Sequence, residues 1–276
     1  MTIGVAVIGA GMAGRAHAAA YRAATSLYDS NLPPVKLISI GDVMPQFGQA
    51  AADRFGYERT DADWRRIADD PNIHAVSVVV ANHLHREIVE GLLAAGKHVL
   101  CEKPLSDTLD DARSMVAAAD GATSIARIGL TFLRNPAIAA IQKIVASGQL
   151  GKVLHFSGNY WADYSSDPMS PISWRYKGGM GTGALADVGS HISYVAEFIT
   201  GQPFSSVSGA RFVTSITERP VPSGAVQGHS SATASDKFDA VENDDYAGFI
   251  AEFGNVAGAI QVSRVAAGHP TSLEFE

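Results

Sequence analysis

The sequence lacks the features that suit a protein to an oxidising compartment, a membrane or nucleic acid. Its 276 residues include a single cysteine, Cys101, so no internal disulfide can form and a reducing cytoplasm is the expected location. No apolar run reaches the roughly 20 residues that a membrane span needs. The apolar start "MTIGVAVIGAG" has neither a basic leader nor a cleavage site, so it is not a signal peptide. The formal net charge of −7 argues against nucleic acid as a partner, because phosphate binding calls for a basic face.

The composition is globular, and the length allows two domains. Hydrophobic residues make up 46% of the chain and charged residues 18%. The first 130 residues alternate apolar runs with Ala-rich amphipathic stretches such as Leu84–Ala95. The apolar runs are Ile3–Ile8, Val35–Ile40, Ile73–Val80, His98–Cys101 and Ser124–Leu130. Runs that are apolar throughout suit strands covered on both faces, and their alternation with helices predicts parallel βαβ units.

After Leu130 the pattern changes to one helix and then alternating strands. The helix is predicted over Ala137–Ser147, and a second helix over roughly Ala184–Thr200. The predicted strands are Val153–Trp161, Val207–Val213, Tyr246–Phe253 and Val256–Val265, with "FGNV" (253–256) as a two-residue hairpin between the last two. The sequence therefore predicts an α/β domain over residues 1–130 and an α+β domain with an open, largely antiparallel sheet over residues 131–276.

Two segments of the second half differ from this pattern. Residues 214–237 are rich in Ser, Thr, Pro and Gly without any period, and we expect a long loop there that is the least ordered long segment of the chain. The final residues "TSLEFE" resemble a strand without a cap or turn after it. This ending suggests a fragment of a longer protein, with a second domain that is incomplete at its C-terminus.

The stretch "VAVIGAGMAGRAHAAAY" places Gly9, Gly11 and Gly14 directly after a strand and before a helix. In that setting the three glycines allow a tight turn, close approach of the backbone to a pyrophosphate, and close packing of helix on strand. The free N–H groups at the start of the helix favour an anion. The pattern predicts a Rossmann-type dinucleotide site, although a glycine-rich turn without a ligand would look similar.

The second predicted strand ends at Asp42, in "LISIGDVMP". A carboxylate at this position hydrogen-bonds the adenosine ribose hydroxyls and repels a 2′-phosphate. The distance from the glycines exceeds the usual ~20 residues, and we interpret "TSLYDSNLPP" as an insertion that accounts for the excess. Since no arginine lies between Gly41 and Arg54, NAD is favoured over NADP.

Candidate acid–base groups lie in "WRYKGGMGTGALADVGSHISYVAEF" (174–198). Asp187 and His191 are four residues apart and share one face of a helix. They lie at the edge of an apolar stripe, beside Tyr194 and Phe198, which suits the wall of a cleft. A carboxylate near an imidazole raises its basicity and orients it as a general base. A pair that only stabilises the helix is the alternative, and a metal site is not expected because no second cluster has ligand spacing.

The stretch "HVLCEKPLS" (98–106) is predicted to be a buried strand that ends in Glu102, Lys103 and Pro104. By itself this pattern is typical of a strand that ends in a solvated turn. Ligands of open α/β sheets, however, bind beyond the carboxyl ends of the strands. Lys103 is therefore a candidate to bind a substrate hydroxyl close to the nicotinamide.

Taken together, these motifs resemble the Gfo/Idh/MocA family of oxidoreductases. The Gly-x-Gly-x-x-Gly turn, "NHLH" (82–85), "AGKHVLCEKPLS" (95–106), "WR" (174–175) and "GTGALADVGSH" (181–191) occur in the family's order over nearly the whole chain. Ala81 departs from the family's pattern, where a proline often precedes the asparagine. The resemblance also implies that the second domain continues past residue 276.

The resemblance implies an NAD-dependent dehydrogenase that acts on a secondary alcohol of a sugar, inositol or related polyol. Lys103, Asp187 and His191 would be catalytic, with the question open whether Lys103 or His191 moves the proton. The residues implied to line the cofactor are Gly9, Gly11, Met12, Gly14, Asp42, Asn82, His85, Glu102, Lys103, Trp174 and Arg175. A homodimer or homotetramer is also implied. The alternatives are a family member with another outcome, such as an aldose–aldose oxidoreductase, an imine reductase or an NAD-dependent hydrolase, or a catalytically silent NAD-binding regulator.

Overall fold

The computed structural model of the chain describes residues 2–27, 29, 31–224 and 234–276. These residues fall into two units, Met1–Gly129 and Leu130–Glu276. No helix in the described part of the chain has the length and the apolar character needed to cross a membrane.

The apolar runs of the first unit form a parallel sheet, as predicted. The strands described there are β1 Ile3–Ile8, β2 Val35–Gly41, β3 Arg59–Asp61, β4 Ala75–Val78, β5 His98–Cys101 and β6 Ala126–Ile128. Their order is β3-β2-β1-β4-β5-β6, with parallel pairing throughout. This is the strand order of the doubly wound dinucleotide-binding fold, in which ligands bind beyond the carboxyl ends of the strands.

Helices cover both faces of this sheet. They are α1 Met12–Ala23, α2 Pro45–Phe55, α3 Arg65–Asp69, α4 His85–Ala94 and α5 Leu109–Gly121. One face buries Val7, Ile40 and Ala51 in a cluster with Tyr57. The other face buries a larger cluster around Leu92. Burial on both faces explains why the strands are apolar throughout and do not alternate.

The second unit is built on a five-stranded mixed sheet. Its strands are β7 His155–Trp161, β8 Phe204–Val213, β11 Tyr246–Phe253, β12 Val256–Ser263 and β13 Ser272–Phe275, in the order β13-β7-β12-β11-β8. Only the β7–β12 pair is parallel, and the predicted hairpin at Gly254 and Asn255 joins β11 to β12. The predicted fold class, an α/β unit followed by an α+β unit, is therefore confirmed.

Helix α7 Ser190–Thr200 packs on one face of the second sheet, against β7 and β12, and helix α6 Pro136–Ala146 packs against α7. The apolar stripe of α7 contributes Ile192, Val195 and Ile199 to a single core with Phe156 and Ile260. This packing places the residues that precede α7, including Asp187, at the border of a large apolar cluster.

The prediction of one long loop over residues 214–237 is wrong where the structure describes it. Glu218–Pro222 and Ala234–Ala240 are strands β9 and β10, which pair as an antiparallel two-stranded sheet. Since β10 is exposed over almost its entire length, it needs no apolar alternation and gives no sequence signal. Residues 225–233, at the centre of the predicted loop, lie outside the described residues.

Candidate active site

The glycine-rich turn between β1 and α1 has the geometry that a dinucleotide requires. Gly9 has a positive φ of 106°, and a Cβ on Gly14 would lie 1.7 Å from the Gly9 carbonyl oxygen. A Cβ on Gly11 would meet nothing within 4 Å, so the backbone around Gly11 is open. The first turn of α1 has no side-chain cap. Its N–H groups are therefore oriented to bind an anion, and the residues present fit the pyrophosphate of NAD.

Asp42 follows β2 and braces this turn. Its Oδ2 accepts a hydrogen bond from the Ala10 N–H at 2.8 Å, and its Oδ1 accepts one from the Met44 N–H at 2.9 Å. A carboxylate offers about four lone-pair sites, so each oxygen keeps capacity for a ribose hydroxyl. The single residue thus combines a structural contact to the glycine turn with a negative charge at the position where a 2′-phosphate would bind.

The Glu102–Lys103 turn continues directly from β5. The Glu102 N–H donates to the Val78 carbonyl at 2.9 Å, which extends the parallel ladder by one residue. The peptide bond between Lys103 and Pro104 is cis. The Glu102 carboxylate accepts hydrogen bonds from the Lys103 N–H at 3.2 Å and from His17 Nε2 at 2.9 Å.

The Glu102 carboxyl is ionised in this environment. Burial raises its pKa, but the hydrogen bond and charge of His17, followed by the contacts with Lys103, outweigh burial and lower the pKa overall. The turn that carries Lys103 therefore holds a fixed negative charge.

His85, which was predicted to line the cofactor, has a fully buried side chain. Its Nδ1 lies 3.1 Å from the Pro104 carbonyl oxygen, and its Nε2 lies 3.2 Å from the Val80 carbonyl oxygen. Burial lowers the pKa of this histidine, so the ring is neutral at neutral pH. In this structure His85 braces the chain after Pro104, while Asn82 is buried at the start of the same short segment.

In the second unit, Asp187 lies on a π-helical turn that leads into α7. The turn spans Leu185–Gly189. Asp244 binds the chain where the turn begins: its carbonyl accepts the N–H of Ala184, the preceding residue, and its Oδ2 accepts the Leu185 N–H at 2.8 Å. Insertions of this kind in helices occur frequently at functional sites. The extra residue per turn changes which side chains lie above one another between Asp187 and His191.

The Asp187 carboxylate is paired with a tyrosine. The Tyr164 hydroxyl donates to Asp187 Oδ2 at 2.5 Å. Burial, followed by the charge of Asp187, raises the pKa of Tyr164 well above its usual value, and the same two causes raise the pKa of Tyr160. Both tyrosines therefore stay protonated, and the negative charge of Asp187 contributes to this.

His191 lies in an aromatic surround. Its Nδ1 lies 2.7 Å from the Tyr194 hydroxyl, which also accepts the Phe132 backbone N–H at 3.2 Å. The Phe132 ring meets the imidazole edge-on at 5.0 Å between centroids, and the Tyr160 ring stacks on it at 5.6 Å. These contacts fix the plane of the ring. The sequence placed Tyr194 beside the predicted pair, and the structure adds its hydrogen bond with His191.

A buried polar network supports Trp174 and Arg175. The Arg264 side chain is fully buried, donates to Asp245 Oδ1 at 2.8 Å and to the Arg175 carbonyl at 3.0 Å, and lies over the Tyr176 ring. The Arg175 guanidinium lies over the Trp174 ring, 4.4 Å from its centroid. Asn243 and Arg264, which both donate to the Arg175 carbonyl, lie 68 and 89 residues downstream of it. No local pattern in the sequence could therefore reveal them.

The parallel sheet, the open glycine turn and the carboxylate after β2 define the first unit as a dinucleotide-binding domain of an oxidoreductase. Residues 3–130 match the model of the oxidoreductase family with an NAD-binding Rossmann fold, and residues 138–276 match that of the GFO/IDH/MocA C-terminal domain. The chain belongs to the Gfo/Idh/MocA family, as the sequence motifs indicated, and its cofactor is NAD.

Two curated relatives extend the comparison. A levoglucosan dehydrogenase of Pseudarthrobacter phenanthrenivorans is 36% identical over 278 aligned residues, which cover 99% of this chain and 70% of that protein. A scyllo-inositol 2-dehydrogenase (NAD(+)) of Bacillus subtilis is 26% identical over 204 residues, which cover 74% of this chain and 56% of that protein. The alignments therefore leave about a third or more of each relative without a counterpart here.

A solved structure shows the same fold. A levoglucosan dehydrogenase in complex with NADH and levoglucosan superposes with a TM-score of 0.90 at 34% identity, over 100% of this chain and 70% of that one.

Proposed function

We propose that the protein is an NAD-dependent oxidoreductase that transfers hydride between the nicotinamide and a secondary alcohol of a cyclic sugar, an inositol or a related polyol. The observation that carries this proposal is the pair of ionisable side chains Asp187 and His191, each held by a tyrosine hydroxyl at the border of an apolar core. Placing two ionisable side chains there has a desolvation cost, which favours a chemical role over a silent regulator. The named relatives act on substrates of this class.

Each domain has one part in this proposal. Residues 1–130 bind NAD through the glycine turn and Asp42, and residues 131–276 bind the substrate. NAD supplies the site that gains or loses the hydride when it is bound. Lys103 binds the substrate oxygen and stabilises the charge that develops on it, and His191 exchanges the hydroxyl proton. Asp187 supplies the negative charge that favours a protonated His191.

A substrate panel tests the proposal. The full-length protein is incubated with NAD and, separately, levoglucosan, scyllo-inositol, myo-inositol, L-sorbose and glucose, and NADH absorbance is followed. We expect at least one cyclic polyol to be oxidised with a kcat/KM in the ordinary enzyme range, about 10⁴ M⁻¹s⁻¹ or more. NADH binding without turnover of any panel member, in either direction, would contradict the proposal and favour a regulator.

Cofactor choice gives a sharper prediction at Asp42. The parent protein is expected to bind NAD more tightly than NADP, because the Asp42 carboxylate repels a 2′-phosphate. Asp42→Asn keeps one oxygen to accept from Ala10 or Met44 but loses the charge, so the preference for NAD over NADP should narrow by about tenfold, equal to about 1.4 kcal/mol. Asp42→Ala loses the brace as well and should weaken both cofactors. Both affinities are measured by quenching of protein fluorescence.

Equal affinities for NAD and NADP in the parent protein would overturn this assignment. An unchanged ratio in Asp42→Asn would show that the charge of Asp42 does not set the preference.

The uncovered face of the second sheet supports a homodimer or homotetramer. The face opposite α7 presents Ile250, which is 54% exposed, among the small side chains of Ser208, Ala257 and Ala259. Arg211 and Glu252 lie on the same face and allow contacts of opposite charge across a two-fold axis. Sedimentation velocity should show a dimer or larger species, and Ile250→Arg should shift it toward monomer, whereas a monomeric parent would contradict the proposal.

The cellular location is proposed from the cysteine content. Cys101 is buried, and burial raises the pKa of its thiol to about 12. A thiol with this pKa is inert, and the protein has no second cysteine to pair with it. We propose a cytoplasmic location, because a protein whose single cysteine is buried needs no oxidising compartment.

A further inference from the structure

A chain of buried hydrogen bonds lies behind the Lys103 turn, and the sequence motifs give no role to its members His17, Ser77 and Tyr21. His17, on α1, bridges two elements of the first unit: its Nδ1 lies 3.0 Å from Ser77 Oγ on β4, and its Nε2 lies 2.9 Å from Glu102 Oε1. Ser77 Oγ in turn lies 2.8 Å from the Tyr21 hydroxyl. The side chains of His17 and Glu102 are only 14% and 17% exposed.

The direction of each hydrogen bond follows from Glu102. An ionised carboxylate only accepts, so His17 donates from Nε2. When Nε2 carries the only ring proton, Nδ1 accepts, and the Ser77 hydroxyl donates to it. Ser77 Oγ is left to accept from Tyr21, whose pKa is raised by burial and which therefore keeps its proton. Each hydrogen-bonding group of the chain then has a partner.

Glu102 is held from its other side by backbone. A Cβ on Gly129, which follows β6, would lie 2.6 Å from Glu102 Oε1. The carboxylate thus fits between Gly129 and the His17 ring, while its second oxygen accepts the Lys103 N–H at 3.2 Å. Rotation of the Glu102 side chain would break the contact to Lys103 or the contact to His17.

We propose that His17 is a positioning residue for Lys103. It acts through Glu102, and because α1 begins at the glycine turn, it ties the element that binds the pyrophosphate to the turn that carries Lys103. This inference rests on the proposed function, since it assigns His17 to the same hydride transfer. His17 itself touches neither substrate nor nicotinamide in this role.

Two near-isosteric variants separate the two hydrogen bonds of His17. The amide nitrogen of a glutamine lies three bonds from Cβ, as Nε2 does, so His17→Gln can still donate to Glu102 but loses Ser77. The amide group of an asparagine lies two bonds from Cβ, as Nδ1 does, so His17→Asn can still reach Ser77 but loses Glu102. We expect His17→Gln to keep most of the parent kcat, and His17→Asn to lose about tenfold or more, because small displacements of a reacting group cost up to about a hundredfold.

A merely structural role predicts a different result. In that case both variants would lose kcat in proportion to the drop in Tm, or neither would change, and either result would overturn the proposal. His98, which accepts the Ile125 N–H at the opposite end of the sheet, provides the control: His98→Gln should leave kcat unchanged. The affinity for NADH, from fluorescence titration, should stay near the parent value in all variants.

A second readout does not depend on turnover. Lys103 is labelled with trinitrobenzenesulfonate and quantified by peptide mass spectrometry, with the exposed Lys36 as internal reference. Loss of the Glu102 contact should loosen the turn, so that Lys103 labels severalfold faster in His17→Asn than in the parent or in His17→Gln. If the parent oxidises no polyol, the proposed function fails and labelling alone decides the role of His17, and equal labelling in all three proteins overturns it.

Discussion

Lys103→Met should reduce kcat by at least about a hundredfold on the true substrate, because positioned acid–base and charge-stabilising groups contribute about 10²–10⁴-fold. Lys103 follows β5, at the edge of the sheet where ligands of this fold bind. A lysine ammonium offers three donors and no acceptor, which suits an alcohol oxygen that gains negative charge as hydride leaves. Methionine keeps the length of the side chain and removes both the charge and the donors.

Steady-state kinetics with the full-length protein checks this prediction. Lys36→Met, at an exposed lysine of β2 in the same unit, serves as the matched control and should retain parental activity. Methylammonium in the assay should restore part of the activity of Lys103→Met by replacing the missing cation. Near-normal turnover in Lys103→Met would remove the residue from the mechanism.

Lys103→Arg separates the two roles that remained open for this lysine. Arginine keeps the positive charge but does not deprotonate in proteins. If Lys103 only binds and stabilises the oxygen, as proposed, Lys103→Arg should retain clearly more activity than Lys103→Met. Equal inactivity of the two variants would instead assign the proton transfer to Lys103.

The parts of the fold that the sequence predicted are those in which a strand or helix has to bury apolar surface. Tyr246–Phe253 was predicted with the bounds that the structure shows, because its residues alternate between the core and the exposed face. Strand β3 and helix α3 were not predicted, since each has only three to five residues and no period can develop over that length. Strand β10 was missed because an exposed strand needs no apolar alternation. Strand β9 was missed because its five residues include Pro220, Pro222 and the buried Arg219, which are not typical of a strand.

The candidate site was predictable only where a local motif carries the chemistry. Gly14 and Asp42 could be predicted because each belongs to a local motif. Gly14 allows close packing of α1 on β1, and Asp42 directly follows β2. His17 could not be predicted, because at its position on α1 it resembles any helix-surface residue, and its partners lie 60 and 85 residues downstream. Arg264 was missed for a related reason: arginine is seldom fully buried, and nothing near it in sequence predicts the pairing with Asp245.

The π-helical turn at Leu185–Gly189 is a local feature that the sequence did not predict. Asp187 and His191 are four residues apart, which on a regular helix brings their side chains together. The structure gives each of them a tyrosine partner, Tyr164 and Tyr194 respectively. The apolar stripe along this turn and α7 remains packed in the core despite the extra residue. The hydrophobic periodicity of the sequence therefore could not reveal the π-helical turn.

His191→Ala should likewise lower kcat by at least about a hundredfold while it leaves the NADH affinity within about twofold, a shift of about 0.4 kcal/mol or less. We expect kcat and NADH affinity to respond differently because the groups lie in different units. The glycine turn and Asp42, which fit the cofactor, belong to the first unit, and His191 belongs to the second. Tyr194→Phe keeps the ring that contacts the imidazole and removes the hydroxyl on Nδ1. It should cause a smaller loss of kcat, because it frees the imidazole to rotate without removing it.

A kinetic isotope effect distinguishes loss of chemistry from loss of folding or of substrate release. With substrate deuterated at the reacting carbon, the isotope effect on kcat should rise in His191→Ala, because hydride transfer then limits turnover. Unchanged thermal unfolding and unchanged NADH affinity in the same preparation would exclude a general collapse of the second unit. Near-normal kcat in His191→Ala would show that His191 does not move the proton, and the proton transfer would then fall to Lys103.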